Sequence, residues 1–240
     1  MSPTDPLLRC DDLVIGYAGV PLLPPVSLTV HEGAFWAVLG RNGAGKSTFF
    51  KTLLGLLGPV SGQVAQPSGP VRIAYLAQRL AFDDLYPILV RDIVASGTLQ
   101  GWSFLRPGSD RQVVEESMAA VGVTELAGRP FRALSGGQKQ RVLFARMLAT
   151  GARVVLLDEP TVGMDAVAER EVMDLLDDLK DRFGLTIIVV THYLDVAQKH
   201  AERVLFLDRD DQVVITGTVA EVFRHPTFQT RYGTVLEGAS

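Results

Sequence analysis

The apolar positions in the second half of the chain predict a strand, a helix and another strand. Residues 154–157 and 185–190 are runs of apolar and β-branched residues, which is typical of strands covered on both faces of a parallel sheet. Between them, apolar side chains recur at helical spacing, at Val172, Leu175, Leu176, Leu179 and Phe183. Gly184 follows, and glycine commonly ends a helix. The pattern predicts an α/β core.

A further buried strand is predicted at residues 34–39, and it runs directly into a glycine-rich segment, residues 40–48. After this segment, apolar side chains again follow helical spacing, at Phe49, Phe50, Leu53, Leu54 and Leu57. Upstream, residues 7–39 alternate short apolar runs with turn residues and predict several strands. Strand, glycine loop and helix are therefore expected in direct succession.

Residues 79–134 differ from this pattern and predict an inserted helical subdomain. Residues 89–99 are helix-like, and residues 109–112 have the spacing of a capping box before an apolar helix that Gly122 would end.

Near the end of the chain, two short apolar runs joined across Asp210 and Asp211 predict a hairpin of residues 204–207 and 213–215. A short helix is expected at residues 219–223.

Composition narrows the class of protein. The 240 residues include 23 Lys and Arg against 27 Asp and Glu, a net charge of −4, so no basic excess favours binding to nucleic acid. Cys10 is the single cysteine, and an internal disulfide is excluded. We expect no signal peptide, because residues 1–6 have neither a basic start nor an apolar run. We expect no membrane-spanning helix, because the longest uncharged stretches are broken by Pro and Gly. Any membrane role is expected to be peripheral.

The segment from residue 40 to residue 48 matches the P-loop pattern G-x-x-x-x-G-K-S in full. Its backbone N–H groups and the following helix N-terminus suit phosphate, Lys46 would bridge the β- and γ-phosphates, and Ser47 would bind Mg²⁺. Thr48 would add an α-phosphate contact. The alternative is a chance glycine-rich turn, which the predicted strand and helix on either side disfavour. The expected nucleotide-binding residues are Gly40, Asn42, Gly43, Ala44, Gly45, Lys46, Ser47 and Thr48.

Two adjacent carboxylates, Asp158 and Glu159, end the buried strand at residues 154–157. In an α/β sheet this is the edge where ligands bind. Asp158 would hold Mg²⁺, and Glu159 would orient or deprotonate the attacking water. The alternative is an acidic helix cap, since Pro160 follows. A kinase would also need an acceptor site, and the sequence shows none.

Residues 134–138, Leu-Ser-Gly-Gly-Gln, form a second glycine-containing helix start. Five specified residues in a row arise by chance in about one of a few thousand chains of this length. Ser135 and the two glycines would make a second anion site. One nucleotide does not need two such sites in one chain, so this site is expected to serve a nucleotide held by another copy.

These motifs, in this order, resemble the ATP-binding cassette (ABC) ATPase family over nearly the whole chain. Residues 40–48 resemble its P-loop, residues 134–138 its signature, residues 162–165 its D-loop, and Asp158 with Glu159 its Walker B carboxylates. Further matching positions are Tyr17 for the adenine-stacking aromatic, Gln78 for the Q-loop and His192 for the switch histidine. Arg41, Val162 and Met164 depart from commoner family residues, but none of them removes a phosphate or metal contact.

The resemblance implies a P-loop NTPase (RecA-like) α/β core with an N-terminal antiparallel β-subdomain and an inserted α-helical subdomain. The boundaries expected within the single domain 1–240 are residues 1–78 and 139–240 for the core and 79–138 for the helical part.

The resemblance also implies ATP hydrolysis with Mg²⁺ between two cassettes paired head to tail, most simply two identical copies. ATP would lie between the P-loop of one and Ser135, Gly136, Gly137 and Gln138 of the other. Gln78 would complete the Mg²⁺ shell, His192 would contact the γ-phosphate and Asp165 would couple the two sites. The alternative for Tyr17 is a core aromatic residue, and the alternative for His192 is an ordinary loop histidine.

A single cassette without a coiled-coil insertion or basic arm fits a transporter ATPase subunit at the cytoplasmic face of the cell membrane. The resemblance implies transmembrane permease subunits, docked near Gln78 and residues 82–94, and an extracytoplasmic substrate-binding protein. Residues 86–97 and 222–233 resemble importers of manganese, zinc and iron. Import of iron-siderophore or haem, or a soluble iron–sulfur assembly ATPase, are alternatives. A P-loop GTPase is disfavoured because no Asn-Lys-x-Asp motif occurs.

Overall fold

The computed structural model describes residues 6–77, 88–99 and 109–237. The chain divides into two compact units, Met1–Val71 with Thr186–Ser240, and Arg72–Leu185. The predicted subdomain boundaries at residues 79–138 stay a prediction. In the described part of the chain, no helix has the length and apolar character needed to cross a bilayer.

The first unit contains two antiparallel sheets and strands of a mainly parallel sheet. Its strands are β1 (Leu8–Val14), β2 (Gly16–Tyr17), β3 (Val20–Pro21), β4 (Val26–Val30), β5 (Phe35–Leu39), β6 (Ser61–Ala65), β9 (Thr186–Val190), β10 (Arg203–Asp208) and β11 (Val213–Thr218). β1 pairs antiparallel with both β4 and β6, while β5 lies parallel to both β9 and β10. Every residue of β5 and of β9 is buried, as the apolar runs predict.

This unit also contains helices. They are α1 (Lys46–Leu53), α6 (Leu194–His200), α7 (Val219–Phe223) and α8 (Pro226–Glu237). The predicted hairpin is confirmed, since β10 and β11 pair antiparallel, and so is the short helix at residues 219–223. Phe228 on α8 is fully buried and packs edge-on against Phe206 of β10, with ring centroids 5.2 Å apart.

The second unit joins a parallel strand pair to helices. Its elements are β7 (Ile73–Leu76), α2 (Val90–Ala95), α3 (Ser109–Ala120), α4 (Gly136–Ala149), β8 (Val154–Asp158) and α5 (Ala166–Phe183). β7 and β8 are parallel, with Tyr75 opposite Leu156 and Leu76 opposite Leu157. Short 3₁₀ turns at Ser96–Thr98, Thr124–Leu126 and Phe131–Ala133 connect the helices.

Helix α5 ends at Gly184, whose φ of 63° is left-handed, as predicted. Its buried face includes Val172, Leu176 and Leu179, but Phe183 is exposed. Phe183 departs from that face because it is the last helical residue, and its ring lies 5.4 Å from the Arg182 guanidinium.

Gly97 has a packing role that explains the residue type. A Cβ atom at this position would lie 2.2 Å from the carbonyl oxygen of Arg146 on α4, and the Arg146 side chain donates to Ser96 Oγ at 3.0 Å. The close approach of residues 96–98 to α4 therefore requires glycine. Part of the pattern that resembles metal importers thus has a structural cause.

Candidate functional site

The P-loop lies between β5 and α1, where the sequence predicts it. Lys46 is the first residue of α1, and its Nζ donates to the carbonyl oxygens of Gly40 at 2.6 Å and Arg41 at 3.1 Å. The side chain is buried, with a residue exposure of 7%. The lysine charge is therefore held inside the curve of its own loop.

Two glycines of the P-loop are required by the shape of the chain. A Cβ on Gly40 would lie 2.4 Å from the carbonyl oxygen of Leu207, and one on Gly45 would lie 2.9 Å from Leu22 Cδ2. Their φ values, 151° and 104°, also favour glycine. Strand β10, which carries Leu207, thus forms one wall of the loop.

The remaining predicted P-loop residues have mixed exposure. Asn42, Gly43 and Ser47 are exposed, whereas Ala44 and Thr48 are buried. Because the first-turn N–H groups of α1 have no partner within the helix, this end suits an anion.

Tyr17 lies beside the start of α1. Its hydroxyl and Thr48 Oγ1 share a hydrogen bond of 2.9 Å, while 51% of the residue is exposed. The alternative of a core aromatic is wrong, because half of the residue is accessible to solvent.

His192 lies at the same sheet edge as the P-loop. Val38 of β5 is opposite Val190 of β9, and Thr191 N–H donates to the Val38 carbonyl oxygen at 3.3 Å. His192 follows at once; it is exposed, and its ring centroid lies 4.0 Å from that of Tyr193. The parallel pairing of β5 with β9 therefore places the P-loop and His192 at the same edge of the sheet.

A cluster of charges that the sequence reasoning missed flanks the P-loop. Asp208, at the end of β10, is buried and accepts from Arg231 Nε of α8 at 2.8 Å. It also accepts from the backbone N–H groups of Asp210 and Asp211 at 2.9 and 3.0 Å. Asp210 lies 3.5 Å from Arg41, and a cavity of about 180 Å³ separates this turn from the loop.

The Walker B carboxylates end β8 in the second unit. Asp158 has an exposure of 8% and accepts a hydrogen bond from the Tyr75 hydroxyl at 3.2 Å. Burial, together with the Asp158 charge and this hydrogen bond, raises the pKa of Tyr75 to about 12. A buried carboxylate at a strand end is thus held by a neighbouring strand that sequence reasoning did not single out.

Glu159 has an unusual backbone. Its φ is 50°, in the left-handed region that a non-glycine residue rarely adopts. Such conformations cost about 1–3 kcal/mol and cluster at functional sites.

The next helix is capped by Asp165, whose Oδ1 accepts from the N–H groups of Val167 at 3.0 Å and Ala168 at 2.9 Å. The alternative in which Asp158 and Glu159 cap a helix is therefore wrong.

The signature loop, residues 134–138, begins α4 with a reciprocal cap. Gln138 N–H donates to Ser135 Oγ at 3.3 Å, and Ser135 N–H donates to Gln138 Oε1 at 3.1 Å. A Cβ added at Gly136 or Gly137 would meet no atom within 4 Å. The loop is therefore formed by its own residues, and its glycines lie against open space.

Gln78 lies outside the described residues, as does the part of the predicted docking patch that precedes residue 88.

A buried strand, a loop that encloses a lysine and an anion-binding helix start together define a P-loop nucleotide-binding protein. The predicted α/β P-loop NTPase fold is confirmed by its likeness to solved cassettes. The family model described as "ABC transporter" matches residues 23–162. The chain belongs to the ABC transporter family, and it is an ATP-binding subunit with the family's activity, ATP hydrolysis coupled to transport.

Curated relatives match over nearly the full length. The zinc transport system ATP-binding protein TroB of Treponema pallidum (strain Nichols) is 38% identical over 97% of this chain and 89% of that protein. The manganese transport system ATP-binding protein MntB of Halalkalibacterium halodurans is 39% identical over 91% of this chain and 89% of that protein.

Among solved structures, cbiO1 from Clostridium perfringens, part of the ABC transporter complex cbiONQ, has a TM-score of 0.80 at 28% identity. The match covers 98% of this chain and 97% of that one.

Proposed function

We propose that this ATPase subunit powers the import of a divalent metal ion across a membrane. Two relatives at 38% and 39% identity are named for zinc and manganese transport, and residues 86–97 and 222–233 resemble the same group. We assign the chain to the cytoplasmic face of the cell membrane, with permease subunits and an extracytoplasmic substrate-binding protein as partners.

For the nucleotide, we assign the triphosphate to the P-loop. Lys46 would leave the carbonyl oxygens of Gly40 and Arg41 for the β- and γ-phosphates, which are stronger acceptors because they are charged. Thr48 would contact the α-phosphate, and Tyr17 would stack on adenine through its exposed ring. The bond between these two hydroxyls supports both assignments.

For hydrolysis, we assign the attacking water to Glu159 and the γ-phosphate to His192. The left-handed backbone at Glu159 supports a functional role for this residue. The position of His192 at the edge where the P-loop begins supports its assignment. Gln78 completes the set as a proposed metal and water contact.

The residues also fit Mg²⁺. This ion prefers oxygen ligands and usually keeps several waters. Ser47 offers an exposed hydroxyl at the start of α1, and Asp158 offers a buried carboxylate at the end of β8. When bound, Mg²⁺ neutralises charge that develops on the phosphates.

One observation carries the proposed pairing with a second cassette. Gly136 and Gly137 have ordinary helical geometry and open space around them, although glycine in a helix costs up to about 1 kcal/mol relative to alanine. Since the described structure supplies no reason for glycine here, we infer that close approach by a second copy's nucleotide supplies it. Asp165, beside the exposed Val162 and Val167, would contribute to the same interface.

Gel filtration of Glu159→Gln protein with and without Mg-ATP tests this pairing. Loss of the carboxylate should stop hydrolysis and leave the phosphate contacts intact, so an ATP-dependent dimer is expected. Lys46→Ala and Ser135→Arg should each abolish that dimer. A Glu159→Gln protein that binds ATP yet stays monomeric at saturating Mg-ATP would contradict the proposal.

The transported substrate needs a separate test with the permease present. We expect vesicles that contain the reconstituted complex to accumulate radiolabelled Mn²⁺ or Zn²⁺ in the presence of ATP, and a Glu159→Gln complex not to do so. Accumulation of a ferric siderophore or haem, without free divalent metal, would favour the alternative substrates.

A further inference from the structure

A tyrosine outside the motifs identified in the sequence contacts the Walker B aspartate. Tyr75 lies on β7, and its hydroxyl donates to Asp158 Oδ2 at 3.2 Å across a separation of 83 residues. The two strands run parallel, with Tyr75 opposite Leu156. Asp158 is therefore two residues further along β8, within reach of a long aromatic side chain.

The hydrogen bond satisfies a group that is costly to bury. Asp158 is more than nine-tenths buried, and a buried carboxylate needs hydrogen-bond partners to offset its lost hydration. A directional donor at one carboxylate oxygen also restricts rotation of the carboxylate about the Cβ–Cγ bond. Phenylalanine would fill nearly the same space without this donor, so packing alone does not account for tyrosine.

We propose that Tyr75 is a positioning residue that fixes the Asp158 carboxylate in the orientation needed to hold Mg²⁺ beside the nucleotide. This inference rests on the proposed assignment of Mg²⁺ to Asp158. The hydroxyl does not touch the nucleotide in this role. It acts through Asp158, as outer-shell hydrogen bonds act on metal ligands elsewhere, where their loss typically lowers metal affinity or activity about 10–100-fold.

The test measures nucleotide affinity rather than turnover. The dissociation constant of a non-hydrolysable ATP analogue is determined in excess EDTA and again in saturating Mg²⁺, and the ratio of the two values gives the affinity gained from the metal. We expect Tyr75→Phe to reduce this gain about tenfold or more and to leave the EDTA value unchanged. Titration of the nucleotide complex with Mn²⁺, followed by electron paramagnetic resonance, should show the same loss.

Matched variants separate positioning from packing. Tyr232→Phe removes the hydroxyl of a half-buried tyrosine whose ring packs on Phe228 in the other unit, and it should leave the metal-dependent gain unchanged. Equal losses with and without Mg²⁺ in Tyr75→Phe, or no loss at all, would overturn the proposal.

A third variant distinguishes this inference from the function it rests on. Asp158→Asn should abolish most of the metal-dependent gain, and adding Tyr75→Phe to it should change the remainder by less than about twofold, since the two residues act as a unit. If Asp158→Asn leaves the gain intact, the Mg²⁺ assignment fails and the role of Tyr75 fails with it. If only Asp158→Asn has an effect, the role of Tyr75 alone is wrong.

Discussion

The P-loop and the signature loop are both glycine-containing segments that begin a helix, but their glycines have different causes. Gly40 and Gly45 have positive φ values, and added Cβ atoms would lie within 3 Å of other parts of the chain. Gly136 and Gly137 have neither feature. The P-loop glycines are required by the folded chain itself. For the signature glycines, the described residues show no such steric or conformational cause.

This difference supports the proposed interface with a second cassette. A helical glycine that none of the described residues requires costs stability relative to alanine, and this cost supports the proposed contact with a second copy's nucleotide. The two loops should therefore respond in opposite ways to the same Gly→Ala substitution.

The largest effect is expected at Gly40. Gly40→Ala would place a Cβ against the Leu207 carbonyl oxygen, so we expect a loss of about 2 kcal/mol or more in the free energy of unfolding and loss of nucleotide binding. Thermal unfolding measures the change in stability, and titration with a fluorescent nucleotide measures the loss of binding. Gly43→Ala is the matched control, since Gly43 has a φ of 81° but open space; it should lose less. Equal stability of both variants would contradict the steric argument.

The reverse pattern is expected at Gly137. Gly137→Ala should leave the free energy of unfolding unchanged or raise it by up to about 1 kcal/mol, because alanine favours the helix. ATP-dependent dimerisation and ATP turnover should fall about tenfold or more, as expected when a group contacts the transferred phosphate. Chemical denaturation, gel filtration and phosphate release are the measurements. A stable Gly137→Ala variant with full turnover would contradict the proposed contact with a second copy's nucleotide.

Two substitutions at Ser135 should have smaller effects, and together they distinguish its helix-capping role from its proposed phosphate contact. Ser135→Ala removes the acceptor for Gln138 N–H and should cost about 1 kcal/mol. Ser135→Asp preserves a good cap, so its stability should match wild type, while its negative charge should weaken ATP-dependent dimerisation more than alanine does. If both variants dimerise equally, Ser135 is only a cap.

The smallest expected effect is a pH dependence of the free energy of unfolding. It is tested by comparing the capping boxes of α7 and α4. At the start of α7, Thr218 N–H donates to Glu221 Oε2 at 2.7 Å. This backbone hydrogen bond, together with a hydrogen bond from the Thr218 side chain to the Glu221 carboxylate, lowers the pKa of Glu221 below its ordinary value of 4.5. A depressed carboxyl pKa contributes stability that is present above 4.5 and is lost as the pH falls through the folded-state value.

Gln138, the equivalent residue of the signature loop, does not titrate. Glu221→Gln should therefore flatten the decline in stability below pH 4.5, measured by denaturation at several pH values. Gln138→Glu should add such a dependence at the signature loop. An unchanged pH profile in Glu221→Gln would contradict the assigned cause.

The sequence predicted the elements that have a strong local signal. The runs at residues 154–157 and 185–190 became buried strands, and the P-loop and the signature loop each begin a helix. β6 was missed because its Ser61–Ala65 segment is exposed or half-buried at every position, so no apolar alternation marks it.

Contacts between distant residues were also missed. The bonds from Tyr75 to Asp158 and from Arg231 to Asp208 join strands and helices that meet only after folding. The exposed Phe183 shows that helical spacing alone does not set burial at a helix end. The sequence therefore identified the chemistry but not the side chains that support it.

The ion pair between the buried Asp208 and the partly exposed Arg231 has a thermodynamic consequence. It ties the last described helix to the strand end that walls the P-loop. If a molecule binds α8 with higher affinity in the nucleotide-bound state, thermodynamic linkage requires that it raise the affinity for nucleotide by the same factor. Helix α8 is thus a place where a bound molecule would change the affinity for nucleotide without contacting the phosphate-binding loop.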